Sequence, residues 1–185
     1  MQETRLYGIH GQGNDYFVQV YNGAEDFMMR GFEGHGQALI EGSATNRANI
    51  HNGKIDGQGR TNLDGVAVRG GTAVNVTGVT SVNNPGQDLL IMADNAEVGG
   101  VAHFNDERGV WFTGGVTGAT FRGSAYTDNQ SGGGYADVEF DDATRCKFYG
   151  DIDGEVELTS NTSNCTVYVS VSGAVTNNGT GCEVV

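Results

Sequence analysis

Asp64 and Asp88 are the carboxylates best spaced in this sequence to work as a pair. Each lies just before a short apolar segment, Val66-Ala67-Val68 and Leu89-Leu90-Ile91, and the two segments belong to successive repeats. Glycoside hydrolysis needs two carboxyl groups about 5–10 Å apart. Repeats stacked about 4.8 Å apart would bring acids one or two repeats apart into that range. The competing reading is a pair of solvated turn acids. A second group, Asp141-Asp142 with Asp151 and Asp153, offers oxygen ligands of the kind Ca²⁺ takes, short of the six that define a strong site. Ca²⁺ is thus the one cofactor in view, and no other metal is expected. His10, His35, His51 and His103 form neither HxH nor HExxH, and no GxSxG segment supports a serine nucleophile. They read as turn or surface histidines.

The elements that must position these groups repeat. Leu6, Met29, Ile50, Val76, Val98, Phe121, Phe148 and Val167 each begin a short strand, spaced 19–27 residues apart. Two residues after six of these anchors stands a glycine: Gly8, Gly31, Gly78, Gly100, Gly123 and Gly150. Asn52 and Val169 are the exceptions. A second strand follows as an apolar pair two residues apart, which puts both members on one face. These pairs are Val18/Val20, Ala38/Ile40, Val66/Val68, Leu89/Ile91, Val110/Phe112, Val138/Phe140, Val156/Leu158 and Cys182/Val184. Repeats of this length with two or three strands and no helix describe an all-β, right-handed parallel β-helix, a solenoid of about eight coils. One domain spans 1–185, and the early strand at Leu6 suggests a piece of a longer protein. Longer spacings place loops at Gly57–Asn62, Asn129–Gly134 and Val175–Gly181. Asn83, Asn105 and Asp128 each lie seven residues past an anchor and should form a side-chain ladder. Cys146 and Cys165 sit two residues before successive anchors and should stack, as thiols or as a disulfide.

Alternation turns the middle residue of each second strand outward. Those residues are Gln19, Leu39, Ala67, Leu90, Trp111, Glu139, Glu157 and Glu183. Leu39, Ala67, Leu90 and Trp111 then form an apolar stripe, which implies a cover: a neighbouring subunit, a sugar ring on Trp111, or a loop of the same chain. The three glutamates beyond it would repel unless cations screen them.

The chain carries 31 glycines, one proline and a net charge of −13, with two lysines against eight arginines among 185 residues. This charge repels nucleic-acid phosphates and anionic membranes. No apolar run reaches the roughly 18 residues of a membrane span, so neither nucleic acid nor membrane insertion is expected. An acidic, lysine-poor surface fits a halophilic source or a secreted protein. Asn75, Asn129, Asn161, Asn164 and Asn178 match the N-glycosylation pattern.

Ile55-Asp56-Gly57-Gln58-Gly59 resembles the IDGxG segment of the pectate-lyase-like superfamily. Asn62-Leu63-Asp64-Gly65 resembles the NxDG segment that bears a catalytic aspartate in its polygalacturonase-type hydrolases. The resemblance implies a β-helix acting on, or holding, a sugar polymer, as in those enzymes and in viral tailspikes. The paired aspartates of the hydrolases become Gln87-Asp88 here. Arg108-Gly109-Val110-Trp111 and Phe121-Arg122-Gly123 stand where a Gly-His-Gly and an Arg-x-Lys would be needed. The expected protein is an extracellular rod of a virion or cell surface, from a halophilic archaeon or its virus. It would bind glycans or polysaccharide and contact copies of itself, a homo-oligomer with the trimer favoured. The alternative is a polysaccharide hydrolase or lyase.

Overall fold

The computed structural model describes residues 4–20, 25–40, 46–57, 64–103, 107–126 and 135–185. It is an all-β parallel solenoid, with no helix among the described residues. Two parallel ladders run its length. One stacks Thr4–Tyr7, the start of Phe27–Ile40, Asn49–Asp56, Asn75–Val82, Glu97–His103, Thr120–Tyr126, Lys147–Asp153, Thr166–Val171 and Glu183–Val184. The other stacks His10–Val20, the end of Phe27–Ile40, Val66–Val68, Leu89–Ile91, Val110–Phe112, Val138–Phe140, Val156–Leu158 and Val175–Asn177.

All eight predicted anchors fall in one register. Leu6 pairs Met29, and the series continues through Ile50, Val76, Val98, Phe121, Phe148 and Val167. It ends on Val184, which pairs Val167. That last pairing corrects the assignment of Cys182 and Val184 to a second strand. The second ladder ends instead on Val175–Asn177, with Val175 beside Val156. Counted by coils with a complete core layer, the solenoid has about six turns rather than the predicted eight. Second strands from Ala38/Ile40 to Val156/Leu158 bury both inward residues, whereas Val175 is 45 % exposed and Val18 only half-buried. The outermost rungs lack a neighbour on one side and so cannot complete a core layer.

Inside, like stacks on like. Phe112 and Phe140 lie with ring centroids 4.4 Å apart, and Phe121 and Phe148 4.8 Å apart. Burying each such ring contributes about 1.5–3 kcal/mol, and each ring pair about 0.5–1.5 kcal/mol more.

Two turn columns shape the coil. Asn52, which breaks the glycine column, takes φ 54°, the left-handed conformation that Gly8, Gly31 and Gly78 also adopt. Asparagine tolerates that region better than other side chains do. Farther along, Gly100, Gly123 and Gly150 stack so closely that a Cβ on any of them would overlap the backbone carbonyl of the preceding rung. The second column went unseen in the sequence. Asp26, Arg47, Ala73, Asn95, Gly118, Arg145, Asn164 and Gly181 each stand three residues before an anchor, and all have φ between 51° and 72°. Their types differ too much for the shared conformation to register as a pattern.

The cysteines stack as predicted and are free thiols. The Cys146 amide donates to Cys165 Sγ at 3.2 Å, and the Cys165 amide donates to Cys182 Sγ at 3.3 Å. The ladder therefore has three members. Of the predicted Asn83/Asn105/Asp128 ladder, Asn83 donates to Asp56 at 3.1 Å, while Asn105 and Asp128 lie outside the described residues.

Candidate functional site

The corner that leads into the second ladder gathers most of the buried polar side chains. Asp64 is 6 % exposed and serves as a hub. Its Oδ2 accepts from Gln37 Nε2 at 3.0 Å and from Arg69 at 3.0 Å, and its Oδ1 accepts from the Gln87 amide at 3.2 Å. Asp88 is fully buried and accepts from Asn84 Nδ2 and, at 3.4 Å, from Ser81 Oγ. Val66 pairs Leu89, so Asp64 stands beside Gln87, and Asp88 beside Gly65. The two aspartates therefore occupy adjacent rungs, one position out of register. Each is enclosed by a separate set of donors, which occupies its oxygens from within the chain. Gln37, Arg69, Ser81 and Asn84 were missed in the sequence, because only the coiling brings them to these acids.

Asp137 occupies the position of Asp88 two rungs on. It is 5 % exposed. Its Oδ2 accepts from the Glu155 amide at 2.6 Å, and its Oδ1 is buried without a donor. Burial, only partly offset by that amide, pushes its pKa up to about 6. No sequence feature separated Asp137 from the other turn acids.

The outward column of the second ladder has the predicted register. Gln19, Leu39, Ala67, Leu90, Trp111, Glu139 and Glu157 stand side by side in that order, followed by Thr176. Glu183 belongs to the other ladder, beside Thr166, which shortens the predicted acidic row. The apolar members are not open to solvent as expected. Ala67 is fully buried and Leu90 is 4 % exposed, in a small cluster with Met92 and Trp111. For Leu39 only the backbone register is described. The cover over Trp111 comes from the same chain. The Arg108 guanidinium lies 4.2 Å from the Trp111 ring centroid and 4.0 Å from that of Tyr135. It donates to both carboxylate oxygens of Glu139, at 2.6 and 3.2 Å. Trp111 Nε1 is buried without an acceptor.

The remaining sequence candidates are dispersed. Asp56 of the IDGxG segment pairs Lys54 at 3.3 Å, and Gln58, Gly59, Asn62 and Leu63 lie outside the described residues. So do most of the two predicted loops at Gly57–Asn62 and Asn129–Gly134. Asp141 accepts from Thr159 at 2.8 Å and Asp153 from Ser172 at 2.6 Å. Among the described residues, no three His, Cys, Asp or Glu side chains converge as a metal site would require. His51 pairs with Thr77 Oγ1 at 2.5 Å, and burial lowers its pKa.

Comparison of the chain with protein-family models, with curated proteins and with solved structures gives no match.

Proposed function

We propose that this chain is a surface-exposed, non-catalytic rod of a virion or cell surface, extracellular, which holds a glycan and assembles with copies of itself, a trimer being favoured. The observation that carries the non-catalytic half is the state of Asp64 and Asp88. A general acid or nucleophile must reach a glycosidic oxygen or carbon. Both carboxylates are instead buried and occupied by internal donors. The glycan half draws on the unbranched, rigid rod and on the pectate-lyase-like resemblance of Ile55–Gly59 and Asn62–Gly65. The experiment incubates the chain with neutral and acidic polysaccharides, measuring new reducing ends, unsaturated products and retained binding. Binding without product is expected. Turnover that disappears in Asp64→Asn would overturn the reading in favour of a hydrolase or lyase. Light scattering at low and high salt reads the assembly, and a monomer in both would remove the trimer.

A further inference from the structure

The left-handed turn column and the first outward column of the first ladder border a groove that follows the rod axis. One stretch, of about 410 Å³, is lined by Arg47, Asn49, Asn75, Asn95 and Glu97 among others. The next, of about 570 Å³, is lined by Asn95, Thr117, Gly118, Thr120, Arg145, Lys147 and Asn164. Asn95 lines both, so the two stretches adjoin.

The second stretch has an unusual charge for this molecule. Lys147 is one of two lysines in a chain of net charge −13. The other, Lys54, is paired with Asp56 at 3.3 Å. Neither Lys147 nor Arg145 has a side-chain partner among the described residues, although one residue separates them and both line the groove. The outward column runs Asn49, Asn75, Glu97, Thr120, Lys147, Thr166, Glu183. Its acids each stand two rungs from Lys147, about 9–10 Å at the ladder spacing. Neutral Thr120 and Thr166 are its immediate neighbours.

Polar side chains without internal tasks flank the two cations. Asn95 precedes them by two rungs and Asn164 follows by one, and neither side chain bonds within the described residues. Gly118, at φ 72°, has no side chain between Asn95 and Arg145, and Asn95 Oδ1 lies over the space that a Cβ would take. In the adjoining stretch Asn75 Oδ1 is buried without a donor. Amides and hydroxyls one rung apart suit the hydroxyls of a linear sugar chain, because a rung is close to the length of one sugar residue. A paired guanidinium and ammonium suit a single carboxylate or sulfate.

We infer that the groove along Asn95, Thr120, Arg145, Lys147 and Asn164 binds an anionic saccharide lying parallel to the rod axis, its acid group on Arg145 and Lys147. The inference rests on the glycan-holding reading and assigns it a place and a charge. The rod as a whole repels polyanions, so attraction must be local.

The test is calorimetry at low salt with three probes: a heparin-derived hexasaccharide carrying sulfates, an oligoguluronate hexamer carrying carboxylates, and neutral cellohexaose. The variants are Lys147→Ala, Arg145→Asn, which retains a residue suited to the left-handed turn, and the double variant, with Lys54→Ala as control. At least one anionic probe is expected to bind, and which one identifies the acid group. Its affinity should fall at least tenfold in the double variant, stay within twofold in Lys54→Ala, and weaken with added salt. Circular dichroism checks that the variants fold. Anionic binding that is equal in wild type and the folded double variant overturns the groove. Binding of cellohexaose alone also overturns it, while leaving the glycan-holding reading intact. No binding of any probe overturns the groove, and failure across a wider glycan panel overturns the glycan-holding reading as well.

Discussion

Arg108 and Glu139 form a two-pronged ion pair one rung apart, with both side chains nearly buried, at 10 % and 8 % exposure. The guanidinium is also clamped between the Trp111 and Tyr135 rings. This arrangement closes the outer apolar cluster without a second molecule. It also neutralises the first glutamate of the acidic row.

Breaking that pair from one side leaves a buried charge alone, which costs about 3–5 kcal/mol. Glu139→Ala and Arg108→Ala should each destabilise by about that amount in urea denaturation. The double variant should lose well under the sum, with a coupling of at least about 1 kcal/mol. Strict additivity would mean the contact contributes nothing to the fold.

Asp137 sets a pH dependence of defined sign. Burial pushes its pKa up to about 6 in the folded chain, against 3.8 for an ordinary aspartate. Between those values the folded state binds the proton more readily, so stability falls as pH rises through the window and levels off above it. Asp137→Asn removes this trend. Relative to wild type, the variant should gain about 1–3 kcal/mol on going from pH 4 to pH 7.5. A difference that stays flat across that range would show that Asp137 ionises normally.

Gly123 faces the carbonyl of Gly100 so closely that no side chain fits. Gly123→Ala must push two rungs apart or distort both, and should cost more than about 3 kcal/mol, with folded protein lost at ambient temperature. Asn52→Gly, at a left-handed position, should be within about 1 kcal/mol of wild type. A tolerated Gly123→Ala would contradict the rung spacing at this column.

The three thiols should react unequally. Cys146 and Cys165 are buried, while Cys182 is half-buried on the terminal rung. The side-chain hydrogen bond between Cys146 and Cys165 pushes the Cys165 thiol up and the Cys146 thiol down, and burial raises Cys165 and Cys182 as well. A maleimide at neutral pH should label Cys182 first. The other two should wait on opening of the coil, and all three should react together in denaturant. Equal rates in the native state would mean the ladder is open.

The repeat was legible because a solenoid writes its core directly into the chain. Each rung buries the same two positions, so Met29, Ile50, Val76, Val98 and Phe121 recur at the coil length and Val66/Val68 at strand period. The same logic gave the outward column from Gln19 to Glu157 and the stacking of Cys146 on Cys165. It failed at the last rung, where Cys182/Val184 satisfies the apolar spacing while Val175–Asn177, ending on a polar residue, does not, and only pairing places the latter in the second ladder.

What lay outside the sequence was every relationship between different columns. Whether Trp111 is covered depends on where Arg108 reaches, and that side chain is long enough to point elsewhere. Whether Asp64 is a free acid depends on Gln37, Arg69 and Gln87, up to 27 residues distant and joined to it only by coiling. The left-handed turn column is a backbone property shared by Asp, Arg, Ala, Asn and Gly, so residue type could not announce it. Periodicity determined the rod and its inward face. Three-dimensional closure alone decided which polar groups are consumed inside it and which, like Arg145 and Lys147, remain for something else.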